Sequence, residues 1–279
     1  MESTVRTWDI APEHTILTID ARDFSRAPES LQPALKEAMT TALRAAFTRS
    51  GLTDEWEEPL FRRDDGDGFV MAFEPLRSWR LVDPMPRYLD QELENYRVEK
   101  GPTDPDLAIR MALHIGPFPA SRLADSINDV FRFINSDTAK TALEGAVAHR
   151  GHTALLLSDE MFRRVVGAGR SLLTEKGDFL RIPATDVPNK DFSRPCWVYA
   201  PRVAPEQLAA HFEASGPPSP PALRNGHRVG GLAADLVRNA AASDNLNIHT
   251  VADHITSLHA VQINQAGLVT GLHPKATQE

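Results

Sequence analysis

The chain has almost none of the residues that build covalent or thiolate scaffolds. Its 279 residues include one cysteine, Cys196, which excludes an internal disulfide and a cysteine-based zinc site and fits a reducing, cytoplasmic setting. No apolar run approaches the ~18 residues that a membrane span requires, so no membrane partner is expected. The opening stretch, MESTVRTWDIAPEH, has neither a basic n-region nor an apolar h-region, so no signal peptide is expected. Positive charge is also short: 30 Lys and Arg against 38 Asp and Glu leave a net charge of -8. That balance argues against a nucleic-acid partner, which would need a basic face. What is present is a 42% hydrophobic fraction, enough for the core of one domain of ~100–200 residues with material to spare.

Periodicity divides the chain into alternating element types. HTILTIDA, 14–21, reads as a short apolar strand that stops on an acid. Leu31, Leu35, Met39, Leu43 and Phe47 then recur at helical spacing, and Gly51 lies just past them as a helix stop should. EEPLFRR and GFVMAF read as two strands of a hairpin, with Pro75 ending the second. A polar helix carrying Leu81, Leu89 and Leu93 is expected over 77–97. In 107–116, Leu107, Ile109, Met111, Leu113 and Ile115 alternate cleanly, the signature of a strand. A helix is expected over about 124–146. A buried strand, TALLLSDE, ends on a Ser158–Asp159 pair suited to capping the helix EMFRRVV, and CWVYAP supplies a last strand. This order predicts an α/β (α+β) domain with a mixed, mostly antiparallel sheet, spanning 1–203. The Pro/Gly-rich stretch 204–231, containing ASGPPSPPALRNGHRVGG, reads as a linker, and 232–279 as a C-terminal tail.

The stretch RRDDGDGFVMAF, 62–73, places Asp64, Asp65 and Asp67 around Gly66 and Gly68 at the mouth of an apolar strand. Asp and Gly are default turn residues, and a solvated hairpin turn would account for them. A different reading comes from Asp20, which ends the first strand. If that strand lies beside the hairpin, Asp20 and Asp67 converge at one sheet edge. Two hard oxygen ligands suit Mg²⁺ or Mn²⁺, which typically take one or two carboxylates plus substrate phosphates and polarise a phosphoryl group. Four residues beyond Asp20 come Phe24 and then Ser25, just before a helix, where backbone N–H groups bind phosphate well. INDVFRF places Asn128 and Arg132 four apart on a predicted helix, hence on one face. An amide and a guanidinium there can position a ribose and offset charge on a reacting phosphate, although either residue alone is also what an exposed polar face would carry.

These stretches, in this order, resemble the class III nucleotidyl cyclases. ILTIDARDFS looks like their first strand, and RRDDGDGFVMAF like their Gly-Asp hairpin. IRMALHIGPF is similar to their arginine- and histidine-bearing strand, INDVFR to their Asn-x-x-x-Arg helix, and GHTALLLSDEMFRRV to their late strand ending in Ser-Asp/Glu. The resemblance runs from about residue 14 to 200. It implies a ferredoxin-like βαββαβ cyclase homology domain working as a head-to-tail homodimer. By the same resemblance, Asp20 and Asp67 of one subunit, with Ala21, bind two Mn²⁺ or Mg²⁺ ions. Asn128 and Arg132 of the other subunit are catalytic, and Phe24, Ser25, Arg63 and Gly66 contact the substrate. The implied reaction is cyclisation of a nucleoside triphosphate with loss of pyrophosphate, the glycines allowing the backbone to approach the triphosphate.

The base-reading positions depart from the adenylate pattern. Adenylate cyclases of this class usually carry Lys four residues before the second metal Asp, where this chain has Arg63. They carry Asp or Thr seven residues before the helix Asn, where it has Ser121. Arginine donates only and suits a carbonyl acceptor such as uracil O2 or O4, although Arg63 could equally pair with Asp64 or Asp65. The departure resembles the pyrimidine cyclases of the Pycsar antiphage systems, whose cyclic UMP or cyclic CMP activates a separate effector. It makes UTP, then CTP, the expected substrate. A purine cyclase with an atypical pocket and a catalytically silent, cyclase-like adaptor stay open as alternatives. In the tail, HAVQINQAGLVTG has an alternating core with no charge and no proline, the composition of a strand-adding segment. VQIN weakly resembles amyloid signalling motifs that recruit partner proteins. A terminal strand docked on the parent domain, or disorder, would fit the same residues.

Overall fold

The computed structural model describes residues 11–102, 104–118, 125–187 and 192–215. Strand β1 (Glu13–Ala21) leads into helix α1 (Gln32–Arg49) and the single turn α2 (Thr53–Glu57). The hairpin follows as β2 (Phe61–Asp64) and β3 (Gly68–Phe73), then α3 (Trp79–Val82), α4 (Met85–Glu99) and β4 (Ile109–Pro117). Next come α5 (Asp125–Asn135), α6 (Asp137–Ala148), β5 (Thr153–Ser158), α7 (Asp159–Val165), β6 (Leu180–Asp186), β7 (Ser193–Tyr199) and α8 (Pro205–Ser215). The strands form one seven-stranded sheet in the order β2-β3-β1-β4-β5-β7-β6. Every neighbouring pair is antiparallel except β4 with β5. The first four strands and their two crossover helices are the expected ferredoxin-like βαββαβ unit, and the fold is the mixed α+β class that the element order predicts.

The two-residue period of the strands sorts their side chains into two cores. Leu17 and Ile19 of β1, Phe69, Met71 and Phe73 of β3, and Ile109, Met111, Leu113 and Ile115 of β4 face α1, α4 and α7. The intervening Ile16, Val70, Ala72 and Ala112 face α5, α6 and α8. Burial on both faces explains why GFVMAF is a continuous apolar run and does not alternate with polar residues. The single cysteine, Cys196, lies in the second core and is fully buried.

Several sequence-based expectations need correction. The helix expected over 77–97 breaks into α3 and α4 at Asp83–Pro84. Proline disfavours helical backbone in the residue before it, and the buried Asp83 Oδ2 instead accepts from the backbone of Leu172 at 2.7 Å, from Leu173, and from Thr174 at 2.9 Å. The helix expected over 124–146 breaks at Ser136, whose hydroxyl accepts from the N–H of Ala139 and so caps α6 as a separate helix. Strand β6 is not expected from the sequence because Pro183 interrupts its apolar pattern. The proline is tolerated because β6 is an edge strand, with a register irregularity between Ile182 and Thr185. Beyond residue 203, the stretch Pro205–Ser215 is not linker but helix α8, which buries Leu208 and meets α6 where Gly145 leaves room for Leu208 and His211. The remaining linker and the tail, including HAVQINQAGLVTG, lie outside the described residues, as does Ser121. Among the described residues no helix is long and apolar enough to cross a membrane.

Candidate active site

The site starts from strand register. Asp20 pairs across the sheet with Gly68 of β3 on one side and with Arg110 of β4 on the other. Asp67 immediately precedes Gly68, and the N–H of Ala21 donates to its backbone carbonyl at 2.8 Å. The end of β1 is therefore stitched to the hairpin turn, and Asp20 and Asp67 meet where β1 ends beside that turn, within the sheet and not at its edge strand. The approach is close because residue 68 is glycine: a Cβ there would lie 1.9 Å from the carbonyl oxygen of Ile19. Gly66 has a different reason, a positive φ of 87° with open space around it, a conformation that L side chains resist. The strand contact at Gly68 and the turn conformation at Gly66 each give the hairpin glycines a structural reason of their own. The turn closes through the N–H of Asp65 donating to the carbonyl of Gly68 at 3.1 Å and the N–H of Gly66 donating to Asp64 Oδ1 at 2.8 Å.

Two carboxylates this near resist joint ionisation. Burial pushes the Asp67 carboxyl above the usual aspartate value, and the negative charge of Asp20 pushes it further. Its own backbone N–H and the charge of Lys36 only partly offset this. Lys36 reaches from α1 to Asp64 Oδ1 at 2.6 Å and lies 3.8 Å from the ring centre of Phe69. Arg110 binds Asp20 through Nε at 3.0 Å and through a second nitrogen, both to Oδ1, so neither bond engages Oδ2.

A divalent cation fits these residues. The donors are hard oxygens, and the excess negative charge that raises the Asp67 carboxyl is what a cation would relieve. Ala21 is buried and can offer only its carbonyl. Among the described residues no group of three or more His, Cys, Asp or Glu could hold a metal ion, so any cation here would complete its shell from substrate or water.

The remaining expected site residues fall into two groups. Phe24 and Ser25 begin a short 3₁₀ turn just after β1, entered through Asp23 with a φ of 57°. Phe24 packs against the first core and Ser25 is exposed. Arg63 projects from β2 and makes a two-pronged pair with Asp65 at 2.7 and 3.1 Å, its guanidinium 5.0 Å from the ring centre of Phe131. The simpler expectation for Arg63, pairing within the turn, is the one observed. Asn128 and Arg132 lie one turn apart on α5, Asn128 exposed and Arg132 half-buried. Arg132 Nη1 donates to the buried Asp129 at 3.1 Å. Among the described residues no hydrogen bond or ion pair joins Asn128 or Arg132 to Asp20 or Asp67 within the chain.

Arg110 and Lys36 escape the sequence reading. The signal for Arg110 was there: it is the one charged residue inside the strand IRMALHIG, on the face opposite Leu113 and Ile115. A cation at such a position calls for a partner, and register supplies Asp20. Lys36 sits on an exposed-looking helix face, and nothing in the sequence links it to the hairpin.

No family model matches the chain, and the search of curated proteins finds no match. Solved structures do match. The catalytic core of a rhodopsin-guanylyl cyclase with converted specificity, in complex with ATPalphaS, is 17% identical, with 69% of this chain and 97% of that one covered and a TM-score of 0.42. The adenylate/guanylate cyclase/hydrolase from Silicibacter pomeroyi is 16% identical over 70% and 100% of the two chains, TM-score 0.45. A bacterial light-regulated adenylyl cyclase is 13% identical over 74% and 99%, TM-score 0.45. At these identities and scores the likeness assigns no activity and no residue role.

Proposed function

We propose that this protein is a metal-dependent nucleotidyl cyclase that converts a nucleoside triphosphate to its 3′,5′-cyclic monophosphate and pyrophosphate. The observation that carries the reading is the meeting of Asp20 and Asp67 where β1 ends beside the hairpin turn, with the Asp67 carboxyl raised by burial and by Asp20. Asn128 and Arg132, one turn apart on α5 and in the chain order of the class III pattern, support it. In the reaction the 3′-hydroxyl attacks the α-phosphorus, gives its proton to solvent water, and forms the new P–O bond as the bond to pyrophosphate breaks. Asp20 and Asp67, with the Ala21 carbonyl, would hold Mn²⁺ or Mg²⁺. When bound, the metal supplies Lewis-acid polarisation of the phosphoryl oxygens. Arg110 holds Asp20 in place through Oδ1. Asn128 orients the ribose, and Arg132 offsets charge on the α-phosphate. Phe24 and Ser25 offer backbone N–H groups to the phosphates.

Because among the described residues no hydrogen bond or ion pair joins Asn128 or Arg132 to Asp20 or Asp67 of the same chain, a head-to-tail homodimer is the natural way to unite the two halves. For the base we favour UTP, then CTP, on the ground that Arg63 stands where adenylate cyclases carry Lys, and we assign the product a second-messenger role in antiphage defence. A purine substrate is the second reading. The Arg63–Asp65 pair, which engages Nε and Nη2 of Arg63, reduces what that side chain can offer a base and so keeps this second reading in play. The test is incubation of purified full-length protein with Mn²⁺ and each of the four ribonucleoside triphosphates, with products identified by mass spectrometry. Cyclic UMP or cyclic CMP is the expected product. Cyclic AMP or cyclic GMP keeps the cyclase and overturns the base assignment. No cyclic product from any triphosphate overturns the enzyme reading in favour of a cyclase-like adaptor.

A further inference from the structure

Asp129 follows Asn128 on α5, yet it is among the most buried acids of the chain, its side chain 5% exposed. Buried carboxylates are rare unless paired, and this one is paired twice. Its Oδ1 takes Nη1 of Arg132 from the same helix, and its Oδ2 takes Nη1 of Arg194 from β7, each at 3.1 Å. Phe192 completes the arrangement. Its ring lies 5.5 Å from the Arg132 guanidinium and 5.8 Å from that of Arg194, and it is anchored edge-on against Phe133 in the core at 5.2 Å. Both arginines are partly open to solvent, 35% and 54% exposed. The cluster carries two positive charges and one negative, so it does not neutralise itself. Among the described residues only one nitrogen of Arg132 is engaged by Asp129, which leaves Nε and Nη2 for a ligand.

We propose that Asp129 is the positioning residue for Arg132: it fixes the guanidinium, from below and through a single nitrogen, in the orientation from which it meets the substrate phosphate. Arg194, paired with the other carboxylate oxygen, Oδ2, at 3.1 Å, braces Asp129 from β7 so that Oδ1 stays aimed at Arg132. This rests on the assignment of Arg132 to the reaction. The physical ground is that a long side chain gains in catalysis what it does not lose in reorientation: a guanidinium held at rest loses little further entropy in the transition state, and misplacement by about 1 Å can cost on the order of 10²-fold in rate. Aspartate at 129 reaches only one nitrogen of an arginine three residues on, whereas a longer acid at the surface, such as Glu94 with Arg97, takes two.

The experiment is a double-mutant cycle on the full-length protein, with turnover of whichever triphosphate it cyclises, substrate KM, and urea stability measured for each variant. Asp129→Asn keeps the shape and removes the charge. Asp129→Ala is the second variant if the amide disturbs folding. Arg132→Ala alone should lower kcat about 10²-fold or more. Asp129→Asn alone should lower kcat at least about tenfold with KM changed less than about threefold. On the Arg132→Ala background the same change should leave kcat within about twofold, because there is no guanidinium left to position. An Asp129 substitution that lowers kcat by the same factor with and without Arg132, or that acts on KM alone, overturns the positioning role. If Arg132→Ala itself leaves turnover intact, it is the assignment of Arg132 that falls, and the two failures are told apart by that single variant.

Discussion

Substituting Gly68 tests how the site is assembled, independently of what it does. A Cβ at this position would lie 1.9 Å from the Ile19 carbonyl oxygen, 2.9 Å from its carbon and 3.2 Å from the Asp20 Cα. All three are backbone atoms of a central strand and cannot rotate away. Ordinary C···O contacts sit near ~3.3 Å, so β1 and β3 must part by about 1.4 Å at the point where Asp20 meets the hairpin. Overpacking of this kind costs about 1–3 kcal/mol, and weakening one or two ladder hydrogen bonds adds about 1 kcal/mol each, for a total near 4 kcal/mol. With a urea slope of about 2 kcal/mol/M, the unfolding midpoint of Gly68→Ala should fall by roughly 2 M. Gly66→Ala is the control. Its φ of 87° opposes a side chain but nothing lies within 4 Å, so its cost should be about 1–2 kcal/mol. Both variants should be followed by far-UV circular dichroism in urea and by Mn²⁺ titration. Gly68→Ala should lose affinity for the ion as well as stability, because the same displacement separates Asp20 from Asp67. A Gly68→Ala protein as stable as Gly66→Ala would refute the close β1–β3 approach, and with it the placement of the two acids.

Asp67→Asn should abolish formation of any cyclic nucleotide in the mass-spectrometric assay while leaving the urea midpoint unchanged or higher, since burial and Asp20 both disfavour the charge it removes; surviving turnover would show that Asp67 is not a metal ligand. Cys196 is buried, and burial pushes its thiol up to about 12, so it should resist an aromatic disulfide reagent at pH 8 in the native protein and react with one equivalent in urea. Fast labelling of the folded chain would refute its place in the second core. The Glu94 carboxyl is held at about 2 by Arg97 and then by His152, below the ~4.3 of a free glutamate. Its stabilising contribution is therefore complete above about pH 4.3 and lost as pH falls from there toward 2. Glu94→Gln should flatten the stability profile across that window, and parallel profiles for the two proteins would refute the pairing.

Several features are legible in the sequence because the residues that encode them are local. The alternation of Leu107 through Ile115 specifies a strand whatever surrounds it, and Ser158 caps α7 as its position before EMFRRVV suggests, accepting from the N–H of Met161. The helix breaks escape such a reading because the residues responsible are also acceptable within a helical pattern. Ser136 acts as a cap only when α6 turns to follow the second core, and Asp83 leaves the helix to bind three N–H groups about ninety residues further along the chain.

What the sequence by itself determined is the list of ingredients: two acids placed at the end of one strand and in the turn before another, and an amide and a guanidinium one helical turn apart. Composition and period are sufficient for this because strand and helix geometry act over a few residues. Tertiary structure alone decided which ingredients touch. Register across β3-β1-β4 set Asp20 beside Asp67 and gave it Arg110 as a partner from ninety positions away. The meeting of α5 with β7 put Arg194 and Phe192 around Asp129 and Arg132. Pairings of this kind depend on which strands become neighbours, a property of the whole packed sheet that no local run of residues encodes.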